Sequence, residues 1–249
     1  MKPDQPQNPP KIPHGLPAEM VRSATHRRGR LELFDTIDPS RTALLVIDMQ
    51  RAWLAPGAPF ETPPARALIP AINRLASALR HRSGTVIWIQ HTTGRSGEAG
   101  DWPLYFQHFI REDRRGASIA ALVPGATLHA LDPALDVSNG DLVLPKYRFS
   151  AFVRTPHDLE SMLVTREIDT VIVTGTATNV CVESTVRDAM MRDFRVFMPH
   201  DAVAALDPEA HLAGVRNVMQ SFADVRPVEA LLAMLGVSSQ PGNLRGDDH

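Results

Sequence analysis

A chain of 249 residues, 43% hydrophobic and 22% charged, is long enough to bury the core of one large domain. That excludes a disulfide miniprotein, a coiled coil and a disordered chain. Its 26 lysines and arginines against 28 aspartates and glutamates leave a formal charge of -2, so no global field draws it to nucleic acid or anionic lipid, and the expected partner is a small molecule.

Residues 1–40 open with Pro3, Pro6, Pro9, Pro10, Pro13 and Pro17. Proline fixes φ and removes a donor, so this stretch is expected to be an extended arm outside the core. It has no apolar leader, the chain has no run near the roughly 18 apolar residues that span a bilayer, and the one cysteine, Cys181, cannot close an internal disulfide. A cytoplasmic protein with no membrane contact is expected. Residues 42–47 are continuously aliphatic, as a strand buried on both faces of a parallel sheet must be. A helix is expected over 65–82, with Leu68, Ile72, Leu75 and Leu79 on one face, and a second strand over 85–90. Residues 91–117 are rich in Gly, Arg, His and aromatics without a period, and read as a long loop or lid. Beyond them come a strand at 141–144, a helix at 158–166, a strand at 170–174, a helix at 179–193 and a strand at 195–198. A helix at 208–221, a strand at 223–225, a helix at 228–235 and a polar tail from 238 to 249 complete the chain. The strand–helix alternation predicts a doubly wound parallel α/β sheet in one domain over 41–237.

In such sheets chemistry sits beyond the carboxyl ends of the strands. Three ionisable residues stand there. Asp48 follows the first strand, Lys146 the third, and Cys181 the fourth, in the first turn of the next helix, where free N–H groups and a nearby ammonium favour a thiolate. Asp48 is placed to take the thiol proton. Gly175, Thr176 and Ala177 are small enough for a tight turn whose N–H groups, with that of Cys181, would hold an oxyanion. Each residue alone has a plainer reading, as core thiol, helix cap or surface lysine. It is their coincidence at three strand ends that points to a thiol hydrolase. A non-catalytic binding subunit on the same fold is the rival; a dinucleotide-binding dehydrogenase is disfavoured because no G-x-G-x-x-G follows the first strand.

Three segments carry a resemblance to a known family: Ala43-Leu-Leu-Val-Ile-Asp-Met-Gln50, Lys146-Tyr-Arg-Phe-Ser-Ala-Phe152, and Thr174-Gly-Thr-Ala-Thr-Asn-Val-Cys-Val-Glu-Ser-Thr-Val-Arg-Asp-Ala189. Over about residues 40–235 the chain resembles the isochorismatase-like cysteine hydrolases, which include N-carbamoylsarcosine amidohydrolase. The resemblance implies a three-layer α/β/α fold with a six-stranded sheet ordered 3-2-1-4-5-6, and Asp48, Lys146 and Cys181 as catalytic triad. It further implies a cis peptide between Thr176 and Ala177, with the N–H groups of Ala177 and Cys181 facing the oxyanion, and a homo-oligomer, dimer or tetramer, in which the arm lies across a neighbour or hangs free. Isochorismatases that cleave a vinyl ether lack the cysteine, and nicotinamidases carry an Asp-x-His metal motif that is missing between Ala52 and Ala67. No metal and no cofactor are therefore expected. Ureido and carbamoyl amidases remain, among them biuret- or triuret-like and N-carbamoyl amino acid amidases, with Lys146 to Phe152 and Asn179 nearest to the ureidoacrylate branch. Gln90, His91, Tyr147, Arg148, Phe152 and Asn179 are candidates for substrate binding. Trp53 and Phe60, with Trp102, Tyr105 and Phe106, are candidates for the pocket walls.

Overall fold

The six residues of β1 (Thr42–Ile47) are buried on every side, as a continuous aliphatic run requires at the centre of a parallel sheet covered on both faces. The computed structural model describes residues 15–94 and 96–237. β1 is flanked in register by β2 (Thr85–His91) on one side and by β4 (Thr170–Thr176) on the other, Ile47 standing opposite both Ile89 and Gly175. β3 (Leu142–Lys146) lies outside β2, while β5 (Arg195–Pro199) and β7 (Asp224–Arg226) continue beyond β4. The path is β3-β2-β1-β4-β5-β7, wholly parallel. The expected six strands are thus seven. A two-residue strand, β6 (Val203–Ala204), pairs with the end of β4 beside β5, and the sixth strand of the expected order is the seventh of the chain.

Alternate residues of β1 feed two separate cores. Ala43, Leu45 and Ile47 pack with α6 (Leu159–Thr165), α7 (Glu183–Met190) and α8 (Pro208–Ser221). Leu44 and Val46 pack with α3 (Ile69–Arg80) and α9 (Val228–Met234). In α3 the stripe Ile72, Leu75 and Leu79 is fully buried, and each side chain contributes about 2 kcal/mol of transfer free energy. Helices therefore cover both faces of the sheet in three layers. No helix among the described residues is long and apolar enough to cross a membrane.

Two expectations need correction. The predicted arm is not extended throughout: residues 1–14 lie outside the described residues, but Ala18–Arg28 form a helix, α1, started by Pro17 and ended by Gly29 in the left-handed conformation. Met20 and Ala24 bury themselves against the α8 side of the sheet, and Gln220 donates to Ser23 Oγ at 2.8 Å. Further on, buried Asp224 of β7 accepts from the N–H groups of Leu33 and Phe34 at 2.8 and 3.0 Å. The strand edge thereby holds the segment down. The predicted tail, 238–249, lies outside the described residues. The second correction concerns 91–117, which holds helices rather than one loop: α4 (Pro103–His108) and most of α5 (Glu112–Ala120). Arg115 of α5 fixes α4 by donating to the carbonyls of Phe106 and Gln107 at 2.7 and 3.0 Å. A short helix, α2 (Arg51–Leu54), follows β1.

Gly175 sets how closely β1 and β4 meet. Its φ is +105°, and a Cβ there would lie 2.1 Å from the Ile47 carbonyl oxygen. Both the strain and the clash fall on backbone that cannot give way. Gly175→Ala is expected to destabilise the protein by about 3 kcal/mol or more in denaturant unfolding, and an unchanged midpoint would show that this strand pair relaxes freely.

Candidate active site

Parallel strands deliver their carboxyl ends to one edge, and four residues arrive there together. Asp48 is the first residue after β1, His91 the last of β2, and Lys146 the last of β3, directly opposite His91. Lys146 was expected just after its strand; β3 extends two residues further and includes it. Cys181 follows β4 on a single π-helical turn, Thr178–Val182, that leads into α7. Such turns are frequent at functional positions. Asp48 is held with φ 53°, a conformation uncommon for a residue with a side chain, and its N–H donates to Ile89 O at 3.0 Å.

Lys146 Nζ stands 2.9 Å from Asp48 Oδ2, 3.4 Å from Cys181 Sγ, 3.1 Å from Arg148 O and 3.3 Å from His91 Nδ1. Asp48 and Lys146 are wholly buried and Cys181 is nearly so. Burial makes each charge expensive unless the others answer it. Burial pushes the Asp48 carboxyl above the ordinary carboxylate range while Lys146 pulls it back. Lys146 bears the cost of its own burial, yet Asp48 and Cys181 hold its proton more tightly than in an ordinary lysine. Burial and Lys146 take His91 well below its ordinary value, so its ring is neutral near pH 7.

The thiol runs against expectation. The helix start and the lysine were expected to lower its pKa, but burial, reinforced by Asp48, pushes it well up despite Lys146. Burial and Asp48 thus favour the neutral thiol, so a thiolate here needs an acceptor for its proton, and Asp48 lies on the same lysine.

Asp48, His91 and Cys181 each offer one ligand atom, all within 4.8 Å of one another. The Lys146 ammonium sits among the three donors, so an added cation would meet a fixed positive charge. The donor set suits the lysine better than a metal.

A cavity of about 120 Å³ opens onto Cys181. Ala177, Val180 and Cys181 form one wall. The Thr176–Ala177 peptide is cis, and the Ala177 carbonyl accepts from the N–H groups of Val180 and Val182 at 3.0 and 3.1 Å. Trp53, Phe60, His91, Tyr105, Leu122 and Phe149 complete the lining. Trp53 stacks on Phe60 at 5.2 Å and on His91 at 6.0 Å between ring centres.

Of the candidate binding residues, Trp53, Phe60 and His91 reach this cavity, and five do not. Gln90 donates to His129 O at 3.0 Å instead. Tyr147 lines a larger neighbouring hollow of about 810 Å³, since alternate residues of an extended chain face opposite ways. Arg148 lies on Trp102, 4.8 Å from its ring centre, and donates to Tyr147 O and Asp101 O. Phe152 packs on Phe194 beneath Arg192. Asn179 is exposed on the outside of the nucleophile turn. Three other residues contribute without having been singled out as binding residues. Buried Gln50 accepts from His91 N at 2.7 Å and donates to His129 O at 2.7 Å, which fixes the end of β2; its signal was its place two residues after Asp48. Leu122 and Phe149 carried none, because what they touch depends on how the chain folds around them.

A profile of the isochorismatase domain matches residues 42–230. The ureidoacrylate amidohydrolase RutB of Methylobacterium radiotolerans is 34% identical over 216 residues, which cover 82% of this chain and 83% of that protein. A cysteine hydrolase from Pseudomonas syringae pv. phaseolicola superposes with a TM-score of 0.72 at 25% identity, over 83% of this chain and 97% of its own. N-carbamoylsarcosine amidase from Thermoplasma acidophilum shares the fold, with a TM-score of 0.61 at 22% identity over 76% of this chain and 97% of that one.

Proposed function

The chain belongs to the isochorismatase family of hydrolases, and on that premise we propose that it is a cysteine-dependent amidohydrolase that opens a C–N bond of a small ureido compound and releases ammonia. The observation that carries this reading is the contact of Lys146 Nζ with both Asp48 and Cys181, the thiol of which lines an apolar cavity. Asp48 takes the thiol proton as Sγ forms a bond to the substrate carbonyl carbon. The oxyanion so formed is held by the N–H groups of Ala177 and Cys181. As the tetrahedral adduct collapses, the C–N bond breaks, Asp48 returns the proton to the departing nitrogen, and ammonia leaves a thioester. Water then attacks that carbon while Asp48 takes its proton. The C–S bond breaks, Sγ regains a proton, and the acid is released. Lys146 remains an ammonium throughout and balances whichever of its two neighbours is negative.

The cavity walls bear no ionised side chain other than the thiol on ionisation, and His91 is neutral. The Lys146 ammonium 3.3 Å from His91 Nδ1 favours the tautomer with its proton on Nε2, where it can donate to the substrate. An uncharged, planar ureido head suits these walls. Ureidoacrylate is the first candidate, with the similarity to RutB in support. Biuret- or triuret-like compounds and N-carbamoyl amino acids are the alternatives.

The test is ammonia release by the purified protein from ureidoacrylate, biuret, triuret, N-carbamoyl amino acids and nicotinamide. Ureidoacrylate is expected to be turned over fastest. Release from another ureido compound alone would move the substrate within the class, and silence across the panel by a folded protein would favour a binding subunit.

A further inference from the structure

We propose that Tyr105 is a substrate-positioning residue whose hydroxyl engages an N–H of the amide or ureido group held over Cys181; the proposal rests on the amidohydrolase reading above. Tyr105 is carried by α4 into the lining of the cavity that Cys181 also lines. Its ring is fixed from several sides: Trp102 stacks at 4.8 Å, Phe149 meets it edge-on at 5.2 Å and 85°, and Phe106 packs at 5.2 Å. Phenylalanine would make every one of these contacts, so the hydroxyl serves none of them. Nor is the hydroxyl bonded to another described residue, and with the side chain only half-buried it stays open. A hydroxyl left open at a cavity wall is free to pair with a bound substrate.

The neighbouring walls sharpen the assignment. Phe60, Leu122 and Phe149 offer only hydrocarbon, while the scissile carbonyl already has the thiol and the N–H groups of the turn. Arg148 is held off on Trp102. Burial and the nearby Cys181 raise the phenol pKa, so the hydroxyl stays protonated and can both accept from an N–H and donate. A substrate that keeps an N–H on the acyl side, as a ureide does, gains a partner there that a plain hydrocarbon amide lacks.

The experiment compares wild type with Tyr105→Phe in two assays. For the ureido substrate, kcat/KM is expected to fall about tenfold, chiefly through KM. The second assay needs no turnover: alkylation of Cys181 by iodoacetamide, which carries an amide, against iodoethane, which does not. The ratio of the two rates is expected to fall severalfold in Tyr105→Phe, with thermal melting unchanged. An unchanged ratio, or equal slowing by both reagents, would overturn the proposal and leave the ring as packing. A wild-type protein that hydrolyses nothing but still shows the shifted ratio would sink the amidohydrolase reading while upholding Tyr105.

Discussion

Cys181→Ala protein is expected to release ammonia from the best wild-type substrate about 10⁴-fold or more slowly, while melting close to wild type. The expectation of so large a loss follows from how completely the proposed chemistry depends on one atom. Sγ is the bond-forming atom in the first half of the reaction and the leaving atom in the second, and the chain has no second cysteine to replace it. Loss of a nucleophile leaves only what binding and the oxyanion donors supply, a small remainder of the total acceleration. The fold has little stake in the same atom. Cys181 is nearly buried at the edge of the core, so deleting Sγ removes its packing and the long contact with Lys146 Nζ, together worth about 1–2 kcal/mol, while Lys146 keeps Asp48. Substrate is still expected to bind, because the aromatic walls are untouched. Ammonia release and a melting curve on the same preparation decide it. Substantial retained activity would mean that Cys181 is a core thiol and that Asp48 acts on water directly.

The helix at 208–221 and the strand start at Thr42 stand where the sequence puts them, because Pro208 after an aspartate and an unbroken aliphatic run are local signals that packing only reinforces. The meeting of Asp48, Lys146 and Cys181 was legible for a related reason: each follows or ends a recognisable strand, and parallel strands collect their ends at one edge. What stayed hidden depended on partners distant in sequence. The helix over Ala18–Arg28 has only Met20 and Ala24 buried, a stripe too thin to register until α8 lies beneath it. The helices between 103 and 120 follow a stretch rich in glycine that masks their period; Tyr105 is legible as a pocket wall, as it proves, but not where its hydroxyl stands. The thiol was misjudged for an electrostatic reason. Sequence spacing shows a lysine and a helix start near Cys181, both of which favour the thiolate. It does not show the depth of burial or the carboxylate on the same lysine, and these outweigh them.

The Asp48–Lys146 pair makes the second large prediction, in which stability and activity part company. Lys146→Met leaves the Asp48 carboxylate buried with no cation 2.9 Å away, and breaking a buried pair from one side costs about 3–5 kcal/mol. Activity is expected to fall as well, by about 10²- to 10⁴-fold, because Asp48 without its ammonium binds a proton and ceases to be a base. Asp48→Asn does the converse: the ammonium loses its carboxylate and the thiol its proton acceptor. In the double variant Asp48→Asn/Lys146→Met neither charge remains to be desolvated, so much of the lost stability is expected to return, within about 2 kcal/mol of wild type. Activity is not expected to return with it. Chemical denaturation of the four proteins measures the coupling, and ammonia release measures its separation from catalysis. A fully stable Lys146→Met protein would show that the pair is solvated, and an active double variant would remove Asp48 from the mechanism. The pH profile of wild type adds a check of sign. Asp48 acts as a base only when ionised, and burial raises its pKa. Activity should therefore be present above that pKa and disappear as pH falls through it, on an acid limb that lies above the ordinary aspartate value of about 3.9. A limb at the ordinary value would mean that Lys146 cancels the effect of burial at this site, and one below it that Lys146 outweighs burial.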